Sequence, residues 1–342
     1  MKFNIKDSKT SFNLGIEILR FIMCFWVVLY HFFETDNENL KKIIKSKRFH
    51  VPTFMFISFY FFYNTLNSRN INKIKLRLIR LAIPYILWPL LIWVFNNILY
   101  IIFQTNRFNR RLASKELLYQ IVFGIKLYGI IWFNNNLLLF IIFFTIITLL
   151  FHNYNLIILQ IFAILVYSFD YSGYTPLFLI KSYFWIFLGR VLGMFPIAVT
   201  GLSFSSLNII SKLEKLRIKA ILISFLIIIF LFKYDIFVIK TGYLYRSIIF
   251  NIAAINLFIL FSLIPFEKIK NNIIISIIIN ITKNTGGIYY IHAIVKANLY
   301  ILIKSINYKT FFGCIIIYLI SYFICFIGIK ICGKTIFRNL FS

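Results

Sequence analysis

The chain has 342 residues, 61% of them hydrophobic and only 14% charged, where a soluble domain averages about 45–50% apolar and about 25% charged. That balance excludes a water-soluble globule and marks a polytopic membrane protein, whose length measures spans rather than the size of a soluble core. The net charge of +27 would point to nucleic acid in a soluble protein, but here Lys and Arg gather in short connections between apolar runs. That is the pattern of anchoring to anionic lipid, and no nucleic-acid partner is expected.

Lys2, Lys6 and Lys9 precede the first apolar run in the manner of a signal-peptide n-region. No small-residue cleavage site follows, and the run passes into an acidic loop, so it reads as a retained first span. The stretch from Gly15 to Asp36, GIEILRFIMCFWVVLYHFFETD, carries two residues that are costly in a membrane, Arg20 and His31, with Glu17 just before and Glu34 just after. In a helix, Arg20 and His31 stand within about 20° of each other around the axis and about 16 Å apart along it. They share one face at opposite depths. Ionisable groups inside a span line a bundle interior or a wet path; the alternative is that Arg20 snorkels to one interface while His31 ends the helix at the other.

A second run, His50 to Leu66, is followed by a basic connector from Arg69 to Arg80. The third run ends near Phe103 and contains Pro84 and Pro89, which predict a kink. From Gln104 the chain is polar and basic, and then LLYQIVFGIKLYGII is apolar on one side, the pattern of a segment lying along the interface or re-entering. Seven further runs follow at Trp132–Phe151, Tyr154–Tyr167, Leu177–Val199, Ile218–Phe232, Ser247–Pro265, Gly286–Ile303 and Phe311–Cys332. Asn272–Ile281 is a short apolar stretch that either lies flat or packs as an eleventh helix. The expected fold is an all-α bundle of about ten transmembrane helices, with residues 1–342 as a single membrane domain. No appended soluble domain, repeat or phosphate-cradling glycine loop is expected. The Lys and Arg balance favours a cytoplasmic N-terminus by a small margin, opposed by Lys41–Arg48 and Arg107–Lys126.

Cys24, Cys314, Cys325 and Cys332 fall in or beside apolar runs without CxxC or Cys/His ligand spacing. They read as small buried hydrophobes, and neither a disulfide framework nor a metal site is expected. Lys181, Arg190 and Lys296 lie within apolar runs and are expected to face the interior. Gly189 and Gly193 have the small-xxx-small spacing of helix packing. The many Phe, Trp and Tyr residues are expected as lipid-facing bulk and interfacial anchors.

Five pieces in chain order resemble the acyltransferase 3 family of integral membrane acyltransferases. IEILRFIMCFWVVLYH resembles its opening helix, with a basic residue, ten residues, then histidine. FHVPTFMFISFYFF resembles the second helix, and RLIRLAIPYILWPL the Arg-x-x-Arg segment entering the third. IWFNNNLLLF is similar to the Trp-Phe motif of the fourth, and TGGIYYIHAIV to the Ile-Tyr-x-x-His motif near the end. The chain departs from the family at Ser58-Phe59-Tyr60, where many members carry Ser-Gly-Tyr, and no fused esterase-like domain, such as some members have, is expected.

The resemblance implies transfer of an acyl group, usually acetyl from acetyl-CoA, to a sugar hydroxyl of a surface polysaccharide or its lipid-linked precursor. The protein would sit in the cell membrane, with no permanently bound cofactor, and its partners would be acetyl-CoA, a glycan or lipid-linked sugar acceptor and membrane lipid. The residues suit that chemistry. An acceptor hydroxyl needs a base near neutral pH, and histidine can take its proton and return it to the leaving thiolate. His31 is the expected base. Glu34, three residues on, would fix its tautomer if the helix continues, or is a solvated loop acid. Arg20 would hold the pantetheine or pyrophosphate part of the donor or polarise the thioester, or simply pair with Glu17. Arg77 and Arg80, one turn apart and beside Lys73 and Lys75, would clamp the CoA phosphates, or act as ordinary interfacial anchors. His50 is a possible acceptor contact or an interfacial histidine, and His292 binds substrate or makes a structural hydrogen bond. The rival reading is a flippase or exporter of lipid-linked glycan, with the intramembrane charges lining a path; it gives no reason to combine the Arg-x10-His pair with Arg-x-x-Arg.

Overall fold

Asn13 sets the start of the first helix, α1 (Leu14–Phe32): its side-chain oxygen accepts from the Ile16 N–H at 3.2 Å, and its amide donates to the Ser262 carbonyl at 3.0 Å. Glu17 lies in the first turn and His31 in the last, the placement that complements the helix dipole for an acid and, once protonated, for a histidine. In the computed structural model the described residues are 13–35, 37, 40–41, 44, 48–103, 117–118, 121–122, 132–151, 155–171, 183–234, 248–266, 273–302, 309–333 and 335–340. Among them there is no strand. The chain continues as α2 (His50–Asn67), α3 (Ile71–Phe103), α4 (Trp132–Leu150), α5 (Asn155–Tyr171), α6 (Tyr183–Ser206), α7 (Ile209–Glu214), α8 (Arg217–Tyr234), α9 (Ile248–Leu263), α10 (Ile273–Thr282), α11 (Thr285–Leu302) and α12 (Phe311–Cys332), ending in a 3₁₀ turn, Ile336–Leu340.

Each of the ten expected apolar runs contains a helix among its described residues. Among the described residues five segments are long and apolar enough to cross a membrane by length and composition: Leu14–Phe32, Ile71–Val94, Trp132–Leu150, Ile186–Ser206 and Phe311–Cys332. The other five runs form helices of 16 to 18 residues, about 24–27 Å long against a hydrocarbon core of about 30 Å. Pro84 and Pro89 both fall within the 33-residue α3. The segment from Gln104 to Ile131 lies almost wholly outside the described residues, as does Lys181.

α1 is the axis of the bundle. It packs against α2, α9, α10, α11 and α12, and the short α10 is therefore part of the packed structure. Two apolar cores meet along α1. One gathers Leu19 and Met23 with Met55, Phe56, Phe59 and Phe62 of α2 and with α4, α6 and α9. The other gathers Cys24, Val28, Leu29 and Phe32 with Tyr85 and Trp88 of α3 and with α11 and α12. Gly15 lets α1 run directly against the chain of α9: a Cβ there would come 1.7 Å from the Phe261 carbonyl oxygen. The terminal turn closes onto α3, where the Trp88 indole N–H donates to the Leu340 carbonyl at 3.1 Å.

Candidate active site

Arg20 and His31 both face α11. The Arg20 guanidinium donates through one nitrogen to both Glu17 carboxylate oxygens, at 3.1 and 3.2 Å, and through the other to the Thr285 hydroxyl at 3.1 Å. Thr285 in turn donates to the Thr282 carbonyl at 3.0 Å. Eleven residues on, the His31 ring lies 5.6 Å from the ring of His292. The two helices run in the same direction, Arg20 beside Thr285 and His31 beside His292. The expected shared face is therefore the face that meets α11, and the Arg20–Glu17 pair forms alongside the link to α11.

The arginine end gathers more cation. Arg77 donates to the Ser58 carbonyl at 2.8 Å, its guanidinium carbon 5.0 Å from the centre of the Phe62 ring. It lies within electrostatic range of both Arg20 and Arg80. Arg80 is exposed. Arg20 and Arg80 thus both act on Arg77 while Glu17 pairs with Arg20, a group of guanidinium side chains suited to an anion with several oxygens.

The histidine end is a cluster of rings. His31 is exposed at the helix terminus, whereas His292 and His50 are buried, at 0% and 1% exposure. Tyr30 lies 5.3 Å from His31 and 5.3 Å from His50, with the Arg48 guanidinium carbon 5.3 Å from its ring centre. Tyr289 and Phe32 flank His292 at 6.2 and 5.5 Å, and the Lys296 ammonium sits 4.7 Å from the Phe32 ring centre. Glu34 extends beyond the helix and joins Lys309, side chain to side chain at 2.5 Å and through its backbone N–H to the Lys309 carbonyl at 2.8 Å. Of the expected site residues, the structure brings together His31 and His292, connects His50 to them through Tyr30, and groups Arg20 with Arg77 and Arg80 at the far end. Of these three histidines, His31 alone is exposed.

Sequence reasoning passed over Thr285, Tyr30 and Arg48, and it noticed the start of α4 only as Trp132-Phe133. Asn134, Asn135 and Asn136 are all buried there, donating to the carbonyls of Leu81, Val122 and Arg190 at 3.5, 3.4 and 3.0 Å. The Arg190 guanidinium carbon lies 5.4 Å from the Trp132 ring centre, and Phe133 meets Tyr289 at 5.7 Å. Three consecutive asparagines in an apolar chain were the available signal, because each buried amide needs partners. Among the described residues no three His, Cys, Asp or Glu side chains come together as a metal site.

Compared with known families, residues 13–330 match the acyltransferase 3 family, described as an acyltransferase domain. The chain belongs to the acyltransferase 3 family. It is a membrane acyltransferase, transferring groups other than amino-acyl groups. No curated protein and no solved structure matches it.

The match runs from the Asn13 cap through Lys330 of α12 and takes in both ends of the α1–α11 pair. The departure at Phe59 also has a structural answer in this acyltransferase. Phe59 is fully buried, its ring 5.9, 6.0 and 5.1 Å from those of Phe62, Phe140 and Phe144. The close helix approach comes from the opposite side: a Cβ on Gly201 of α6 would stand 2.6 Å from the Phe56 carbonyl oxygen. Thus α2 fills the space toward α4 with a ring, and the glycine that admits its backbone lies on α6 rather than on α2.

Proposed function

We propose that this membrane acyltransferase is an O-acetyltransferase that moves acetyl from acetyl-CoA to a sugar hydroxyl of a surface polysaccharide or its lipid-linked precursor. The observation that carries the reading is the division of α1 into a guanidinium end and an imidazole end on one face. A polyanionic donor such as CoA has its phosphates at one end of a long molecule and its thioester at the other. Arg77 and Arg80 take the phosphates, and Arg20 holds the arm or the thioester carbonyl. His31, open at the far terminus, removes the hydroxyl proton as the oxygen attacks and returns it to the thiolate. Glu34, paired with Lys309 just past the helix end, adds charge to the acceptor side, His50 stands behind Tyr30 there, and His292 borders the same place. The N-terminus is cytoplasmic in this scheme, the protein sits in the cell membrane, and the acceptor is met at the opposite face.

The test uses purified protein, labelled acetyl-CoA and an oligosaccharide acceptor. Wild type transfers label to the glycan. His31→Gln retains a hydrogen-bonding side chain of similar reach but accepts no proton near neutral pH, and it does not transfer. Transfer by His31→Gln near the wild-type rate removes His31 from the mechanism. No transfer by wild type, together with loss of glycan export in cells, favours a flippase.

A further inference from the structure

The His292 Nδ1 lies 3.1 Å from the Ile288 carbonyl oxygen. A carbonyl only accepts, so Nδ1 carries the proton of this bond and, in the neutral ring, Nε2 holds a lone pair. That Nε2 is buried and has no hydrogen-bond partner among the described residues. Of the rings around it, Phe32 has no polar atom, and Tyr289 stands off at 6.2 Å on the same helix. His31, at 5.6 Å with its plane tilted by 36°, is the nearest ring that can donate. The backbone beneath the pair is tied down, since Arg20 joins Thr285 two turns before His292.

We propose that His292 is the positioning residue for His31: a turn of the His31 ring within the 5.6 Å separation brings its N–H to the unpaired Nε2 of His292, which accepts it and thereby selects the tautomer of His31 whose other nitrogen faces the acceptor. The inference rests on the reading of His31 as the base. In the transfer, the acceptor hydroxyl gives its proton to the other nitrogen of His31 and its oxygen forms the new bond to the acyl carbon. The carbon–sulfur bond breaks, and the thiolate takes the proton back from the His31 imidazolium. Throughout, the second N–H of His31 points at His292 Nε2, so the cation that forms meets a prepared acceptor. A partner behind a catalytic imidazole is the usual way to fix its tautomer and raise its basicity. Glu34, the acid nearest in sequence, gives its carboxylate to Lys309, and a buried neutral imidazole does the work at lower cost in the membrane than a second carboxylate.

The test compares the full-length wild type, His292→Phe and His292→Gln in lipid nanodiscs, by acetyl-transfer kinetics and by nitrogen NMR of the four histidines. His292→Phe keeps a planar ring and removes the acceptor; it is expected to lower kcat by about 10–100-fold while leaving KM for acetyl-CoA within about twofold. His292→Gln places an acceptor oxygen near the lost Nε2 and is expected to recover part of kcat. In wild type His31 holds one tautomer, and in His292→Phe it becomes a mixture. The proposal is overturned if both variants turn over like wild type, or if His31 shows the same tautomer mixture in wild type as in His292→Phe. If His292→Phe does not fold, the wild-type tautomer and His292→Gln decide. A wild type that transfers no acetyl defeats the functional reading alone, and the His31 tautomer then decides this one.

Discussion

The two ends of α1 are built on opposite terms. At the arginine end the donors are committed: Arg20 is shared between Glu17 and Thr285, and Arg77 holds the Ser58 carbonyl. At the imidazole end rings pack edge and face, His31 is exposed, and a buried acceptor nitrogen of His292 has no partner among the described residues. One end is braced by its polar groups; the other is shaped by aromatic packing around the buried Nε2 of His292. A site that binds an anion gains from fixed charges, whereas a site that moves a proton needs a lone pair not already spent. Activity and stability should therefore separate along the helix.

The largest separation is expected at His31. His31→Ala should reduce acetyl transfer by about 10²–10⁴-fold with the unfolding temperature in detergent unchanged, because the residue lies at an exposed helix end. A matching fall in both quantities would erase the distinction between the ends. Arg20→Ala comes next and should fail on both measures. It strands Glu17 within the bundle and cuts the link to Thr285, at about 1.5–3 kcal/mol for each charge-assisted bond, read as loss of folded protein on size exclusion together with weaker donor use.

Arg77 and Arg80 sharpen the contrast within one end. Arg80→Ala should raise KM for acetyl-CoA by about tenfold or more, the loss of one charge-assisted bond, without moving the unfolding temperature. Arg77→Ala should raise KM similarly and also destabilise, since the Ser58 carbonyl loses its donor. Arg77→Lys keeps the charge but not the planar fork and should recover part of the affinity. If both alanine variants keep wild-type KM, the two arginines are anchors only. The smallest effect is expected from Lys309→Gln. The Glu34–Lys309 pair is about half exposed, at 51% and 46%, so its loss should cost at most about 1 kcal/mol of stability, measured by denaturant unfolding; a larger cost would mean that the imidazole end is braced as well.

The helices were legible because composition and run length decide them: all ten apolar runs became helices, and the angular argument placed Arg20 and His31 on one face. The receiver of that face was not legible. Thr285 and His292 lie far along the chain, and no periodicity links them to α1; only packing does. Glu34 illustrates the limit of local spacing. Three residues from His31, it would face that ring on a continued helix, but α1 ends at Phe32 and the extended chain carries Glu34 to Lys309. The anchor and donor readings of Arg77 were likewise inseparable in sequence, because its partner is a backbone carbonyl that leaves no trace in side-chain pattern. Phe59 was visible as a departure, but its compensation at Gly201 required seeing α6 against α2.

The bond from Arg20 to Thr285 spans 265 positions, which has a consequence for how the protein is made. When α1 leaves the ribosome, Thr285 and His292 have yet to be synthesised. A lone guanidinium within a span raises the cost of insertion, by up to about 2.5–3.5 kcal/mol at the centre, and for most of synthesis α11 is not there to meet it. Glu17, one turn away, is. The intrahelical pair lets α1 enter the bilayer with its charge already matched and wait there as a half-finished seam. Replacing Glu17 with Gln would then delay or misdirect the first span during translation, an error fixed long before the active site could form.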